Sequence, residues 1–316
     1  MSVVIGAIGE LLVEFVCSEK DGHNLVPAPY IGPFPSGAPG IFIDQAARVA
    51  RSFGGRAVFA GAVGDDAFGQ VILQRLVADG VDPGLIRVVT GVPTGSAFVS
   101  YNSDGSRDFV FNIGHSAAAC LPGLEDIAAG FLAAGIAVLH ISGSMLGDAA
   151  MRAAGLALCE RLDAAGVAIS IDPNIRAELI ADAGYIETLQ RIIAMADYVL
   201  PSDADAAALY PGQTFEDWST RLLADQAQVV VLKRGDQGCI GRDRTGQVDL
   251  PAHRVQVVDP TGAGDCFCAT LVTLLAAGQD LAAALARANA AGALAVQKLG
   301  PMEGNSTLAE IDEVKG

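Results

Sequence analysis

With 316 residues, 51% of them hydrophobic but only 6% aromatic, the chain can bury a large core of Ala, Val, Leu and Ile without a cofactor to hold it together. A formal net charge of −16 argues against whole-protein attraction to nucleic acid or to an anionic membrane, because such binding draws on clustered Lys and Arg. Any anionic ligand must be held by local groups, such as helix N-termini and glycine turns. The six cysteines (Cys17, Cys120, Cys159, Cys239, Cys266 and Cys268) form no C-x-x-C pair and no zinc-site spacing, so reduced, mostly buried thiols are expected. The start shows no signal-peptide pattern, and the apolar stretches are too short to span a bilayer, so a cytoplasmic protein without membrane contact is expected.

Along the chain, short apolar runs alternate with Ala-rich amphipathic stretches. The pattern predicts helices over 43–53, 68–79, 148–165, 186–196 and 281–298, and strands over 57–63, 136–141, 167–171, 198–200 and 229–232. Such alternation predicts an α/β fold with a parallel, doubly wound sheet. Two stretches break it. Residues 13–35 carry Gly and Pro, and 94–111 alternate around Ser103-Asp104-Gly105 as a β-hairpin would. They form either a small β appendage over one end of the main sheet or ordinary surface hairpins.

The most informative segment is Val257-Val258-Asp259-Pro260-Thr261-Gly262-Ala263-Gly264-Asp265-Cys266-Phe267, read as an apolar strand entering a glycine turn and then an Ala/Leu helix. Gly262 and Gly264 allow close backbone approach, so successive N–H groups and the helix dipole can converge on an anion. Asp265 falls in the first turn of that helix. A carboxylate there can be a mere cap or dipole partner, yet beside an anion site it can also serve as a general base. No Walker A loop occurs, and Gly262-Ala263-Gly264 lacks the third glycine of a dinucleotide fingerprint.

The run Asp259-Pro260-Thr261-Gly262-Ala263-Gly264-Asp265 resembles the C-terminal motif of the PfkB, or ribokinase-like, family of carbohydrate kinases. The resemblance extends through Gly9-Glu10-Leu11-Leu12-Val13-Glu14, Val63-Gly64-Asp65-Asp66-Ala67-Phe68-Gly69 and Asp172-Pro173-Asn174-Ile175-Arg176 to Asn289 and Gly300. Within the family the chain looks most like tagatose kinases and fructokinases, on residues 31–39 and 111–117.

The resemblance implies one ribokinase-like domain over 1–316: a Rossmann-type core with a β-sheet lid inserted at about 12–35 and 94–114. It implies ATP with Mg²⁺, room for a monovalent cation, a sugar substrate and a homodimer formed through the lid. Asp265 matches the catalytic base, and Gly262, Ala263 and Gly264 match the anion hole. Asn174, Ser202, Lys233, Gly235, Gly238 and Asn289 match nucleotide-binding positions, although Lys233 also reads as a strand-end surface lysine and Asn289 as a polar residue on an exposed helix face. Pro201-Ser202-Asp203-Ala204-Asp205 occupies the place of the family's Asn-x-x-Glu element, with Asp205 reaching the metal through water; Ser202 and Asp203 equally suit a helix cap.

On the sugar side, Glu14, Gly37, Ala38, Asp44, Arg107, Phe111 and Arg176 match substrate positions. Asp44 stands where Asn is usual, and it also reads as a first-turn dipole partner; Arg107 also reads as a solvated hairpin charge. Kinases of 2-keto-3-deoxygluconate usually show Tyr-x-Arg where this chain has Phe111-Asn112-Ile113. The missing arginine removes a bidentate carboxylate partner, which favours a neutral ketohexose, tagatose or fructose, over a sugar acid. A 2-keto-3-deoxygluconate kinase, a nucleoside kinase and a non-catalytic sugar sensor are the alternatives.

Overall fold

The computed structural model describes residues 2–104, 106–176, 179–180 and 182–314. Its strands are β1 (Val4–Ile8), β2 (Leu12–Cys17), β3 (Tyr30–Ser36), β4 (Arg56–Gly64), β5 (Val81–Val89), β6 (Gly95–Tyr101), β7 (Arg107–Asn112), β8 (Val138–Ser142), β9 (Ala168–Asp172), β10 (Tyr198–Val199), β11 (Val229–Lys233), β12 (Cys239–Asp243) and β13 (Gln247–Leu250). The helices are α1 (Ala38–Ala50), α2 (Ala67–Asp79), α3 (Leu124–Ala134), α4 (Ala149–Asp163), α5 (Ala183–Met195), α6 (Asp203–Leu209), α7 (Phe215–Ala224), α8 (Ala263–Ala276), α9 (Leu281–Ala295) and α10 (Leu308–Asp312).

Nine strands form the main sheet in the order β13-β12-β11-β10-β9-β8-β1-β4-β5. From β11 through β5 every pairing is parallel. This is the parallel, doubly wound sheet that the alternation predicts, and β12 and β13 extend it with antiparallel strands at one edge. Both faces are covered, which explains why the central strands are mostly apolar and buried, with His140 and Ser170 pairing with each other across β8 and β9. In β1, Ile5 and Ala7 join the core formed with Phe42 and Ile43 of α1, Ile72 of α2, Leu271 of α8 and Leu285 of α9. Val4 and Ile8 face the other way, into the core formed with Phe131 of α3, Leu158 of α4, Leu189 of α5 and Trp218 of α7.

The two stretches that interrupt the alternation supply a second, four-stranded sheet, β3-β2-β6-β7, with β2 and β6 parallel and the outer pairs antiparallel. Tyr101 and Arg107 face one another across β6 and β7. Of the expected hairpin turn, Gly105 lies outside the described residues.

Two local expectations are corrected. The first core helix starts at Ala38, not at 43, because Pro39 fits the first turn, where its missing N–H costs nothing. Gly37 caps it at φ 102, where a Cβ would lie 2.6 Å from the carbonyl oxygen of Glu10. Residues 257–259 form no strand, and Val257 and Val258 are 59% and 50% exposed. The sheet ends with β13, and Pro251 follows it without an N–H to extend the ladder. The segment is held instead by the N–H groups of Val258 and Asp259, which donate to the carbonyl of Val296 at 2.7 and 3.2 Å.

Candidate active site

The strand order reverses beside β1, whose neighbours β4 and β8 lead the chain to opposite edges of the sheet. In such sheets the crevice beyond the carboxyl ends of the strands is the natural place for a ligand. A cavity of about 820 Å³ opens there. Glu10 follows β1 into its wall, Ser144 and Met145 follow β8, Asn174 and Arg176 follow β9, Ser202 follows β10, and Gly235 follows Lys233 of β11. The small sheet closes the other side with Leu12 and Glu14 of β2 and Arg107, Phe109 and Phe111 of β7.

At one end of the cavity α8 begins. Gly262 is its N-cap at φ 83 and supplies no side-chain cap; a Cβ there would lie 2.5 Å from the carbonyl of Pro301. The first N–H groups of a helix have no partner within it, so those of Ala263, Gly264 and Asp265 are free at the start of α8, a place chemically suited to an anion. Gly262, Gly264 and Asp265 line the cavity. Burial, with the negative charge of Asp172 added, pushes the carboxyl of Asp265 up to about 7 against the pull of Lys233 and Arg176. A carboxylate that titrates near neutrality is well matched to accepting a proton.

Lys233 reaches the same region. Its ammonium pairs with Asp172 and lies 3.5 Å from where a Cβ on Gly264 would sit, so it is no free surface lysine. Burial opposes its charge, but the Asp172 carboxylate more than offsets this and holds Lys233 above its ordinary range. Asn174, at φ 38, donates its backbone N–H to Asp172 at 3.2 Å and its side chain to Ser142 at 3.3 Å. Ser202 and Asp205 form a reciprocal cap on α6. Ser202 donates its N–H and hydroxyl to Asp205 Oδ2 at 2.8 and 2.6 Å, and the other carboxylate oxygen accepts the N–H of Ile175 at 2.8 Å. The capping and site-lining readings of this segment are therefore compatible.

Glu14, Gly37, Ala38, Arg107, Phe111 and Arg176 also line the cavity. Ser36 donates to Glu14 Oε2 at 3.2 Å, while Oε1 is buried without a hydrogen-bonding partner in the protein. Burial, reinforced by Asp259, pushes Glu14 up to about 7. Arg176 stacks over the Phe111 ring at 5.9 Å, joining the core to the small sheet.

Three expected site residues lie elsewhere. Asp44 is fully buried in the middle of α1, because that helix starts earlier than periodicity implied. It accepts from Asn305 at 2.6 Å and faces Arg48 and Arg75 at 3.4 Å each, away from the cavity. Gly238 lies outside the lining residues and closes the turn after β11, where its carbonyl accepts from Arg234 at 2.8 Å. Asn289 donates to the carbonyl of Pro251 at 2.8 Å and so ties α9 to the segment after β13. Glu10 is the residue that the spacing did not single out. It is 6% exposed, takes a 2.7 Å hydrogen bond from Ser144 on Oε1, and keeps Oε2 without a protein partner. An acidic side chain two residues beyond a buried strand was the available signal.

The pfkB family carbohydrate kinase profile matches residues 46–308. The chain belongs to that family. As a carbohydrate kinase it is a phosphotransferase with an alcohol group of a sugar as acceptor. It is 33% identical over 321 residues to fructokinase-1 of Oryza sativa subsp. japonica, covering 98% of this chain and 97% of the relative. Among solved structures it is similar to an Escherichia coli protein assigned as a ribokinase II, in complex with ATP and Mg²⁺, at TM-score 0.90 and 38% identity over 99% of this chain and 98% of that one. It is also similar to a double mutant of the fructokinase of Vibrio cholerae O395, with fructose, ADP and potassium bound, at TM-score 0.81 and 26% identity over 98% of this chain and 97% of that one. Among the described residues no helix is long and apolar enough to cross a membrane.

Two outcomes follow from this geometry. Asp44→Ala should leave the sugar KM within about twofold while lowering the unfolding free energy by about 3–5 kcal/mol, since it strips a buried partner from Arg75 and Asn305; steady-state kinetics and urea denaturation read the two. Asp265 titrates near about 7 in the fold but near ~3.9 when unfolded, so the folded state holds the extra proton between those values and loses stability as pH rises through that window. Asp265→Asn should therefore melt above the parent at pH 8, with the gap closing towards pH 4; a gap independent of pH would contradict the raised carboxyl.

Proposed function

We propose that the protein transfers the γ-phosphoryl group of ATP to a hydroxyl of a neutral ketohexose, fructose or tagatose, with Asp265 as the general base. The observation that carries this reading is the position of Asp265: in the first turn of α8, on the cavity wall, beside N–H groups that a phosphoryl group can approach. Phosphoryl transfer requires an oriented alcohol, a proton acceptor and neutralisation of charge on the moving group. Asp265 supplies the acceptor, and the start of α8 with Lys233 supplies the neutralisation.

The nucleotide fits the strand-end side of the cavity, where Asn174, Ser202, Lys233 and Gly235 lie. The described residues hold no group of three or more His, Cys, Asp or Glu side chains able to bind a metal ion. Mg²⁺ is accordingly best accommodated on the phosphates of ATP, where it would neutralise their charge, with Asp205 reaching it through water. Both Asp205 oxygens already accept hydrogen bonds, which supports that indirect role.

The acceptor fits between Glu10 and Glu14 on one side and Phe111 and Arg176 on the other. Each glutamate keeps one buried oxygen without a protein partner, and buried acceptors of this kind call for donors. Sugar hydroxyls supply them, whereas a carboxylate would be repelled. The names of the fructokinase relatives support a ketohexose, and the absence of an arginine at Asn112 or Ile113 agrees with a neutral one.

Asp265→Asn should fold and bind ATP yet lose about 10²–10⁴-fold in kcat, the usual weight of general-base assistance; turnover like the parent's would sink the assignment. In the parent, kcat/KM should rise with pH up to about 7 and then level, because Asp265 must be ionised to act. Coupled ADP release measured with fructose, tagatose and 2-keto-3-deoxygluconate tests the acceptor, and preference for the acid would overturn the neutral-ketose reading.

A further inference from the structure

One contact between the small sheet and the core involves none of the groups proposed to touch substrate. The hydroxyl of Tyr101, the last residue of β6, donates to Asp259 Oδ1 in the segment that leads into α8. Tyr101 does not line the cavity. Asp259 is fully buried, and its carboxylate gathers three parts of the chain. Oδ1 accepts the Tyr101 hydroxyl and, at 2.9 Å, the N–H of Thr261, while Oδ2 accepts the N–H of Gly300 at 2.9 Å.

The oxygen that fastens the small sheet is thus the oxygen that fastens Thr261, and the next residue, Gly262, is the N-cap of α8. Thr261 is held from the sheet a second time. Its hydroxyl lies 3.3 Å from the Tyr101 hydroxyl and accepts from Arg107 at 3.2 Å. Tyr101 and Arg107 are directly opposite on β6 and β7, so adjacent strands of the small sheet clasp the residue before the anion-binding turn. Burial and the Asp259 carboxylate both push the Tyr101 hydroxyl above its ordinary range, so it remains a donor throughout the neutral range.

We propose that Tyr101 is a positioning residue which, through Asp259 and Thr261, couples the small sheet to the N–H groups that begin α8. The proposal rests on the reading of α8 as the phosphoryl-binding terminus. A sugar that draws the small sheet onto the cavity then also fixes those N–H groups, two to four residues beyond the clasp. Chemistry is favoured when acceptor and sheet are in place, and ATP hydrolysis without the sugar is suppressed. Displacement of reacting groups by about 1 Å can cost 10²-fold in rate, so one hydrogen bond at this place can influence turnover without touching substrate.

The test uses the full chain with MgATP and fructose. Tyr101→Phe removes the hydroxyl and keeps the ring. The expected result is a kcat lowered by about tenfold, with the ketose KM changed by less than about threefold, more than one ADP released per sugar phosphate formed, and faster amide exchange over residues 259–264. Asp259→Asn should show the same uncoupling, and the double variant should be no worse than Asp259→Asn alone, since residues acting through one contact are non-additive. Parent-like kcat and one-to-one stoichiometry in Tyr101→Phe would overturn the proposal even if the variant melts lower, as would strictly additive losses in the double variant. Asp265→Asn measured alongside separates the two readings: if it turns over normally, the base assignment fails; if it is inactive while Tyr101→Phe is normal, only the coupling fails.

Discussion

The constraint on which the rest depends is a parallel sheet buried on both faces. Seven parallel strands run from β11 to β5, and the helix layers occupy both faces, so the side chains of the strand-end loops gather beyond the carboxyl ends of the strands. The reversal of strand order beside β1 keeps helices from closing over that end, and the cavity follows. Glu10, Asn174, Ser202 and Lys233 come from four different strand ends, yet converge because those strands share one direction.

Carboxyl groups that line a crevice built this way are held partly out of water. Burial raises Asp265 and Glu14 to about 7, and raises Glu10 and Asp172 as well. Four carboxyl groups in one desolvated space compete for few cations. Lys233 serves Asp172, while Arg176 moderates Glu10, Glu14 and Asp265 from the mouth of β9. The balance leaves Asp265 able to gain or lose a proton near neutrality, which a fully compensated aspartate could not do. Its cost is a fold that is less stable when that carboxyl is charged.

Much of this was legible in sequence, and the division has a physical cause. The Gly262 to Asp265 turn could be read because its chemistry is local: cap, free N–H groups and carboxylate lie within four residues. Strands 57–63 and 229–232 were legible because burial on both faces leaves unbroken apolar runs. Asp44 was misplaced by helix phase, since starting α1 at Ala38 turns that side chain to Asn305, 261 residues away in sequence. Val257 and Val258 have the composition of a strand but lack a neighbouring strand to pair with, and composition carries no record of partners. The bond between Tyr101 and Asp259 spans 158 residues. Nothing in either neighbourhood announces it.

The small sheet therefore does more than cover an opening. A flap that excluded water alone would need only apolar contact, which Leu12, Phe109 and Phe111 already offer. Here the same sheet also places Glu14 inside the cavity and sets two polar side chains, Tyr101 behind the cavity and Arg107 on its wall, on Thr261. Those contacts act on backbone N–H groups whose usefulness depends on direction as much as on presence. Because β2 and β6 pair directly, any movement of the strand carrying Glu14 is shared by the strand carrying Tyr101. In the proposed reading, acceptor recognition and the geometry of the turn before α8 are in this way linked through one sheet.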